Sequence, residues 1–133
     1  MKKTYLLLSL FSIFFFNAIA QENEPKANWE KALKPFNYQD HIVYKTVNGE
    51  SLEIILFLPK VKKYSKTPVM LYTHGGGWGK GDKYNLLQKV FNETLSILLD
   101  NSIACASVEY RLTRPGISTA FDCVVDCKDA GRF

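Results

Sequence analysis

The segment "HGGGWGKGD", His74 to Asp82, follows directly on the apolar run "TPVMLYT", Thr67 to Thr73. A short continuous apolar run of this kind is the signature of an interior parallel strand. Glycine loses more conformational freedom on folding than any other residue, so a glycine cluster marks a place where backbone must come close to something. Beyond it, Asp82 supplies an N-cap for a helix running to about Asp100, with Leu86, Leu87, Val90, Phe91, Leu95, Leu98 and Leu99 at helical spacing. Strand, glycine loop, helix is therefore the unit around which the rest of the chain must be arranged.

Upstream, "HIVYKTVNGESLEIILFLP" from His41 holds two β-rich runs around Asn48-Gly49, a hairpin signal because both central positions of that turn favour positive φ. The second run is apolar on both faces, with Leu52, Ile54, Leu56 and Leu58 on one and Ile55 and Phe57 on the other, which implies a strand covered on two sides. Downstream, Ile103 to Leu112 reads as another buried strand. "TRPG" turns the chain, and a last helix starts at Ser118 or Thr119. Its apolar face is Ala120, Val124, Cys127 and Ala130, with Asp122, Asp126, Asp129 and Arg132 on a solvated face. The pattern continues to Phe133 without a recognisable cap or glycine exit. A hairpin followed by strand–helix–strand gives an α/β fold with a mixed sheet whose later strands are parallel.

The N-terminus is of another kind. "MKKTYLLLSLFSIFFFNAIA" places Lys2 and Lys3 before an apolar stretch and ends on Ala18-Ile19-Ala20, the pattern of a secretory signal peptide over residues 1–20. The apolar stretch is shorter than the ~20 residues a membrane span needs. This leads us to expect a periplasmic or secreted product that has no membrane attachment after cleavage. Residues 21–40 read as an extended lead-in, with a short helix around Asn28 to Leu33. Of 17 Lys/Arg against 13 Asp/Glu, two basic residues leave with the leader. The remaining charge is too balanced to argue for a nucleic-acid partner or an anionic membrane surface. Cys105, Cys123 and Cys127 are an odd set that cannot pair fully within one chain, and they lack the further ligands of a zinc site. They read as buried thiols, and no metal or organic cofactor is implied.

What can the glycine loop approach? A P-loop would need glycine where His74 stands and Ser or Thr where Gly81 stands. A dinucleotide fingerprint begun at Gly75, Gly77 or Gly79 ends on Lys80, Asp82 or Tyr84 rather than glycine. An oxyanion hole remains: acyl transfer develops negative charge on a carbonyl oxygen, and backbone N–H groups must reach it with no Cβ in the way. "HGGGW" (74–78), "GDK" (81–83), "VEYRL" (108–112) and "DCKDAGRF" (126–133) together resemble the α/β-hydrolase superfamily. The likeness is to secreted His-Gly-Gly-Gly-type esterases related to hormone-sensitive lipase and bacterial acetyl or feruloyl esterases. That resemblance implies that Gly76 and Gly77 donate to the oxyanion and that Gly75 permits the turn. It makes His74 a structural tie of the loop rather than the base, and Tyr110 and Arg111 scaffold residues. Trp78 either lines the substrate pocket or packs under the loop.

The resemblance also implies what lies beyond Phe133. The family nucleophile stands in Gly-x-Ser-x-Gly on the next strand, with the acid and the histidine later, and none of these three is in this sequence. Residues 41–133 then correspond to the N-terminal part of an α/β-hydrolase domain, truncated before the nucleophile strand. The expected activity of the full-length protein is carboxylic-ester hydrolysis through a serine acyl-enzyme, on small-molecule or polysaccharide-linked esters. The alternative is a short, non-catalytic exported binding or structural protein derived from the same fold.

Overall fold

A computed structural model describes residues 26–133; the expected signal peptide and the start of the lead-in, residues 21–25, lie outside the described residues. The chain runs α1 (Lys26–Leu33), β1 (Asn37–Val47), β2 (Glu50–Leu58), β3 (Val69–Thr73), a 3-10 helix (Lys83–Leu87), α2 (Lys89–Asp100), β4 (Ala104–Val108) and α3 (Ala120–Ala130). Four strands form one sheet in the order β1-β2-β4-β3, with β1–β2 and β2–β4 antiparallel and β3–β4 parallel. This is the mixed sheet that the order of apolar runs requires. The hairpin turns at Asn48 and Gly49, whose φ angles of 51° and 80° are those of a two-residue turn matched to strand twist.

Alternation along β2 and β4 separates two cores. On one face Ile55, Phe57 and Cys105 pack with Leu33 of α1, Leu86 and Leu87 of the 3-10 helix and Leu95 of α2. On the other, Ile54, Ala106 and Val108 pack with Ala130 of α3. Side chains two apart on a strand share a face, so β2 must be apolar at consecutive positions to serve helices on both sides. Phe57 is fully buried and meets Phe36 edge-on at 5.6 Å between ring centroids.

The run Thr67–Thr73 pairs only with β4 within this chain, and its other edge, with Val69 and Leu71 exposed at 59% and 39%, is open on the side where the hydrolase resemblance places the nucleophile strand. Three expectations are corrected. The helix expected from Asp82 is split: Asp82 caps the 3-10 helix by accepting from the Tyr84 N–H at 2.8 Å, and α2 begins only after an extended Gln88. The regular part of the run Ile103–Leu112 is only Ala104–Val108, because the chain leaves the ladder as it turns toward α3. In α3 the buried stripe is Cys123, Asp126 and Ala130, and the helix ends at Ala130 with Gly131 as its C-cap. The helix starts after Thr119 as expected, but hydrophobic periodicity misassigned its buried face because Arg111 and Lys45 draw Asp126 inward. Two smaller differences are that β1 begins at Asn37, four residues before His41, and that α1 extends from Lys26.

Truncating Phe57 to alanine should cost about 3–5 kcal/mol, since it opens a cavity against Phe36 and the first core. Phe121→Ala, at a position 75% exposed, should change stability by about 0.5 kcal/mol or less. Urea denaturation of the two variants beside the unaltered protein measures the contrast.

Candidate active-site loop

The glycine loop leaves the C-terminal end of β3, the side of a parallel sheet where α/β proteins place their ligands. It is held from below by His74, whose side chain is fully buried. The His74 Nδ1 lies 2.8 Å from the Gly75 carbonyl oxygen, so this nitrogen carries the hydrogen. Tyr110, just beyond β4, donates its hydroxyl to the His74 carbonyl at 2.6 Å and stacks on the imidazole with ring centroids 4.1 Å apart. Burial holds the His74 imidazole below its ordinary pKa, against the opposing effects of the Gly75 carbonyl and Asp82, so the ring is neutral at physiological pH.

Steric demands on the glycines are unequal. Gly76 has φ of 119°, and a Cβ there would run into the Lys80 carbonyl. Gly81 has φ of 104°, and its Cβ would strike the His74 ring and the Gly75 carbonyl. Gly77 also has positive φ, 61°, but open space around it, while Gly75 has neither constraint. The turn therefore takes its glycine requirement from Gly76 and Gly81 rather than from Gly75. Gly79 N–H closes the turn on the Gly76 carbonyl at 3.2 Å, and the backbone bonds that hold the loop use neither the Gly76 nor the Gly77 N–H. Both residues are exposed.

Trp78 stands at φ of 65° and meets Tyr110 edge-on at 5.5 Å. Its carbonyl accepts from the Thr113 N–H at 2.7 Å and the Thr113 hydroxyl at 2.8 Å. The loops after β3 and β4 are thus tied together through one tryptophan. Arg111 turns the other way: its Nε and Nη2 donate to Asp126 at 2.7 and 2.9 Å, with Lys45 Nζ on the same carboxylate at 2.8 Å. The sequence placed Asp126 in solvent, but it is fully buried. Burial pushes its carboxyl up, but the hydrogen bonds from Arg111 and Lys45 outweigh this and hold it below the ordinary carboxylate range.

Two further charged residues escaped the sequence reading. Lys83 is buried and places Nζ 2.7 Å from both Asp40 Oδ1 and Glu53 Oε2. Asp40, His41 and Glu53 bring possible metal-ligand atoms within 4.8 Å of one another, but the Lys83 ammonium already supplies the positive charge there. Glu109 accepts the Lys83 N–H at 3.1 Å, and Ser107 donates to the Lys83 carbonyl at 2.6 Å. A glutamate interrupting the apolar run "ASVEY" is the signal that could have flagged the first of these contacts. A cavity of about 480 Å³ between the hairpin and α2, lined by Phe36, Leu58, Val61 and Leu99 among others, shares no residue with the glycine loop.

A parallel β3–β4 pair joined through α2, an antiparallel hairpin beside it and a His-Gly-Gly-Gly loop at the strand end define the N-terminal part of an α/β-hydrolase. The chain belongs to the BD-FAE family, whose model matches residues 54–133. Among solved structures it is similar to esterase Est2 of Thermogutta terrifontis, with a TM-score of 0.57 and 21% identity over 73% of this chain and 32% of that one. It is also similar to esterase LipW of Mycobacterium marinum, with a TM-score of 0.60 and 17% identity over 78% of this chain and 31% of that one. Other structures of the Thermogutta enzyme hold propionate or butyrate, or are phosphorylated by paraoxon. The chain thus spans about a third of the length of these esterases. No curated protein matches it. No helix among the described residues is long and apolar enough to cross a membrane.

Alanine at Gly76 or Gly81 should destabilise the fold by about 1–3 kcal/mol, because each combines positive φ with a clash against fixed backbone or a buried ring. Gly75→Ala should be tolerated within about 0.5 kcal/mol. Thermal unfolding of the three variants checks the order.

Proposed function

We propose that this chain carries the oxyanion-binding portion of an exported carboxylic-ester hydrolase. The observation that carries the reading is the exposed Gly76-Gly77 pair at the C-terminal end of a parallel strand, whose N–H groups enter none of the backbone bonds that close the loop among the described residues. In the intact protein those two groups stabilise the tetrahedral intermediate formed when a serine attacks the ester carbonyl. The serine, its histidine and its acid belong to the part of the hydrolase fold that follows Phe133. Membership of the BD-FAE family and likeness to two esterases support hydrolase chemistry of this kind. Propionate and butyrate in the Thermogutta enzyme favour short acyl groups, and paraoxon phosphorylation of that enzyme supports a covalent nucleophile. Trp78 borders the reacting carbonyl, and the alcohol side is either a small molecule or a polysaccharide. The leader-like residues 1–20 support delivery to the periplasm or the exterior.

The intact gene product should hydrolyse p-nitrophenyl acetate and butyrate and take up a fluorophosphonate label at one serine. Displacing the donors with Gly76→Ala should lower kcat by about 10²–10³ with a much smaller effect on KM. A folded product that neither hydrolyses these esters nor takes the label would overturn the reading in favour of a non-catalytic binding protein.

A further inference from the structure

The His74 ring has one contact the glycine loop does not explain. Its Nδ1 hydrogen goes to the Gly75 carbonyl, and the Tyr110 hydroxyl, having given its own proton to the His74 carbonyl, faces Nδ1 at 3.1 Å through its oxygen. In a neutral imidazole this leaves Nε2 with a lone pair. Among the described residues Nε2 is a buried side-chain nitrogen without a hydrogen-bond partner, a costly arrangement in a native structure. The group opposite it is Glu109, with Oε1 at 3.9 Å. The other Glu109 oxygen is committed to the Lys83 N–H.

We propose that Glu109 is the positioning residue of the glycine loop, its carboxyl and the His74 imidazole holding one proton between them that fastens the loop to the end of β4. A protonated Oε1 is the donor Nε2 lacks, and a small rotation of the Glu109 side chain closes the distance. The proton count is the same whether the proton rests on carboxyl or ring. The surroundings favour keeping it. Burial pushes the Glu109 carboxyl up to about 7, and the negative charges of Asp82 and Glu53 act in the same direction. The Lys83 N–H bond and the Lys83 charge oppose them, and the Lys83 ammonium is itself engaged by Asp40 and Glu53. From β1, the Tyr44 hydroxyl meets the Glu109 carbonyl and not its carboxyl. The sign follows from the raised value. Glu109 stabilises the fold fully below the ordinary glutamate pKa, and that contribution is lost as pH rises through about 7.

The consequence for catalysis rests on the oxyanion role proposed above, whereas the proton itself is read without any activity. In the intact gene product with ¹⁵N-labelled histidine, the His74 ring nitrogens are followed by NMR from acid to alkaline pH. Hydrogen exchange at the Gly76 and Gly77 amides is measured alongside and corrected for base catalysis. The expected result is a change at Nε2 from bonded to free acceptor through about pH 7, with loop protection falling about tenfold over the same range. Glu109→Gln, whose amide donates to Nε2 at every pH and whose oxygen still accepts the Lys83 N–H, should flatten both profiles at the protected level. Glu109→Leu should lose loop protection throughout. A Glu109→Gln profile with the wild-type midpoint, or an Nε2 signal indifferent to pH, would overturn the proposal while leaving ester hydrolysis untouched. Absence of ester hydrolysis with the expected NMR profiles would instead remove only the oxyanion reading.

Discussion

Asp126 has no solvent exposure, and its two oxygens accept from Lys45 Nζ and from the Arg111 Nε, Nη2 and main-chain N–H. Lys45 lies in β1, Arg111 follows β4 and Asp126 sits in α3, so one carboxylate joins an outer strand, the chain leaving an inner strand and the helix that covers them. A buried ion pair of this kind gains little over a well-packed apolar substitute, but removing one partner strands the others and costs about 3–5 kcal/mol. What such a pair contributes is registry. Helix α3 buries little large apolar surface, with Phe121 and Val124 exposed, so its rotation is fixed by the position of Asp126 more than by packing.

The residue beside Arg111 extends the same constraint to the glycine loop. Tyr110 and Arg111 are consecutive, and their side chains serve different partners, Tyr110 the His74 backbone and ring and Arg111 the α3 carboxylate. The loop after β3 is thereby fixed to the chain after β4, and that chain is fixed to α3. The Arg111–Asp126 pair and the Glu109–His74 contact proposed above depend on pH in opposite senses. Asp126 is held ionised by its cations, so its contribution is lost as pH falls through its lowered pKa. Burial raises the Glu109 carboxyl to about 7, so its contribution is lost on the alkaline side. The loop has both attachments only in the interval between.

The succession of strands and helices, the hairpin turn and the loop's place between strand and helix were legible because each rests on local pattern. Asn48-Gly49 encodes its own backbone conformation, and the doubly apolar β2 announces helices on both faces. The errors fell where a distant charge outweighs local pattern. Nothing within α3 distinguishes Asp126 from Asp122 or Asp129; the difference is made by Lys45 and Arg111, 81 and 15 residues away in sequence. Lys83, in the 3-10 helix, is a similar case, since its burial depends on Asp40 and Glu53 converging from β1 and β2. The split of the helix after Asp82 was hidden for another reason: leucines at helical spacing do not reveal an extended residue such as Gln88 between a 3-10 turn and an α-helix.

The glycines themselves divide by physical cause, and the division bears on what the loop is for. Gly76 and Gly81 are required by the fold, since a side chain at either position would meet the loop's own backbone or the His74 ring. Gly77 adds only a left-handed φ, which Trp78 and Asn48 adopt elsewhere in this chain with side chains attached. Gly75 adds neither φ nor contact, and a Cβ would meet nothing within 4 Å at Gly75 or Gly77. Gly77 is favoured by its left-handed φ and Gly75 by neither φ nor contact, and together they keep that side of the loop free of side chains. Backbone N–H groups can be approached closely only where no Cβ stands in the way, and this is the condition on which the oxyanion role proposed above depends.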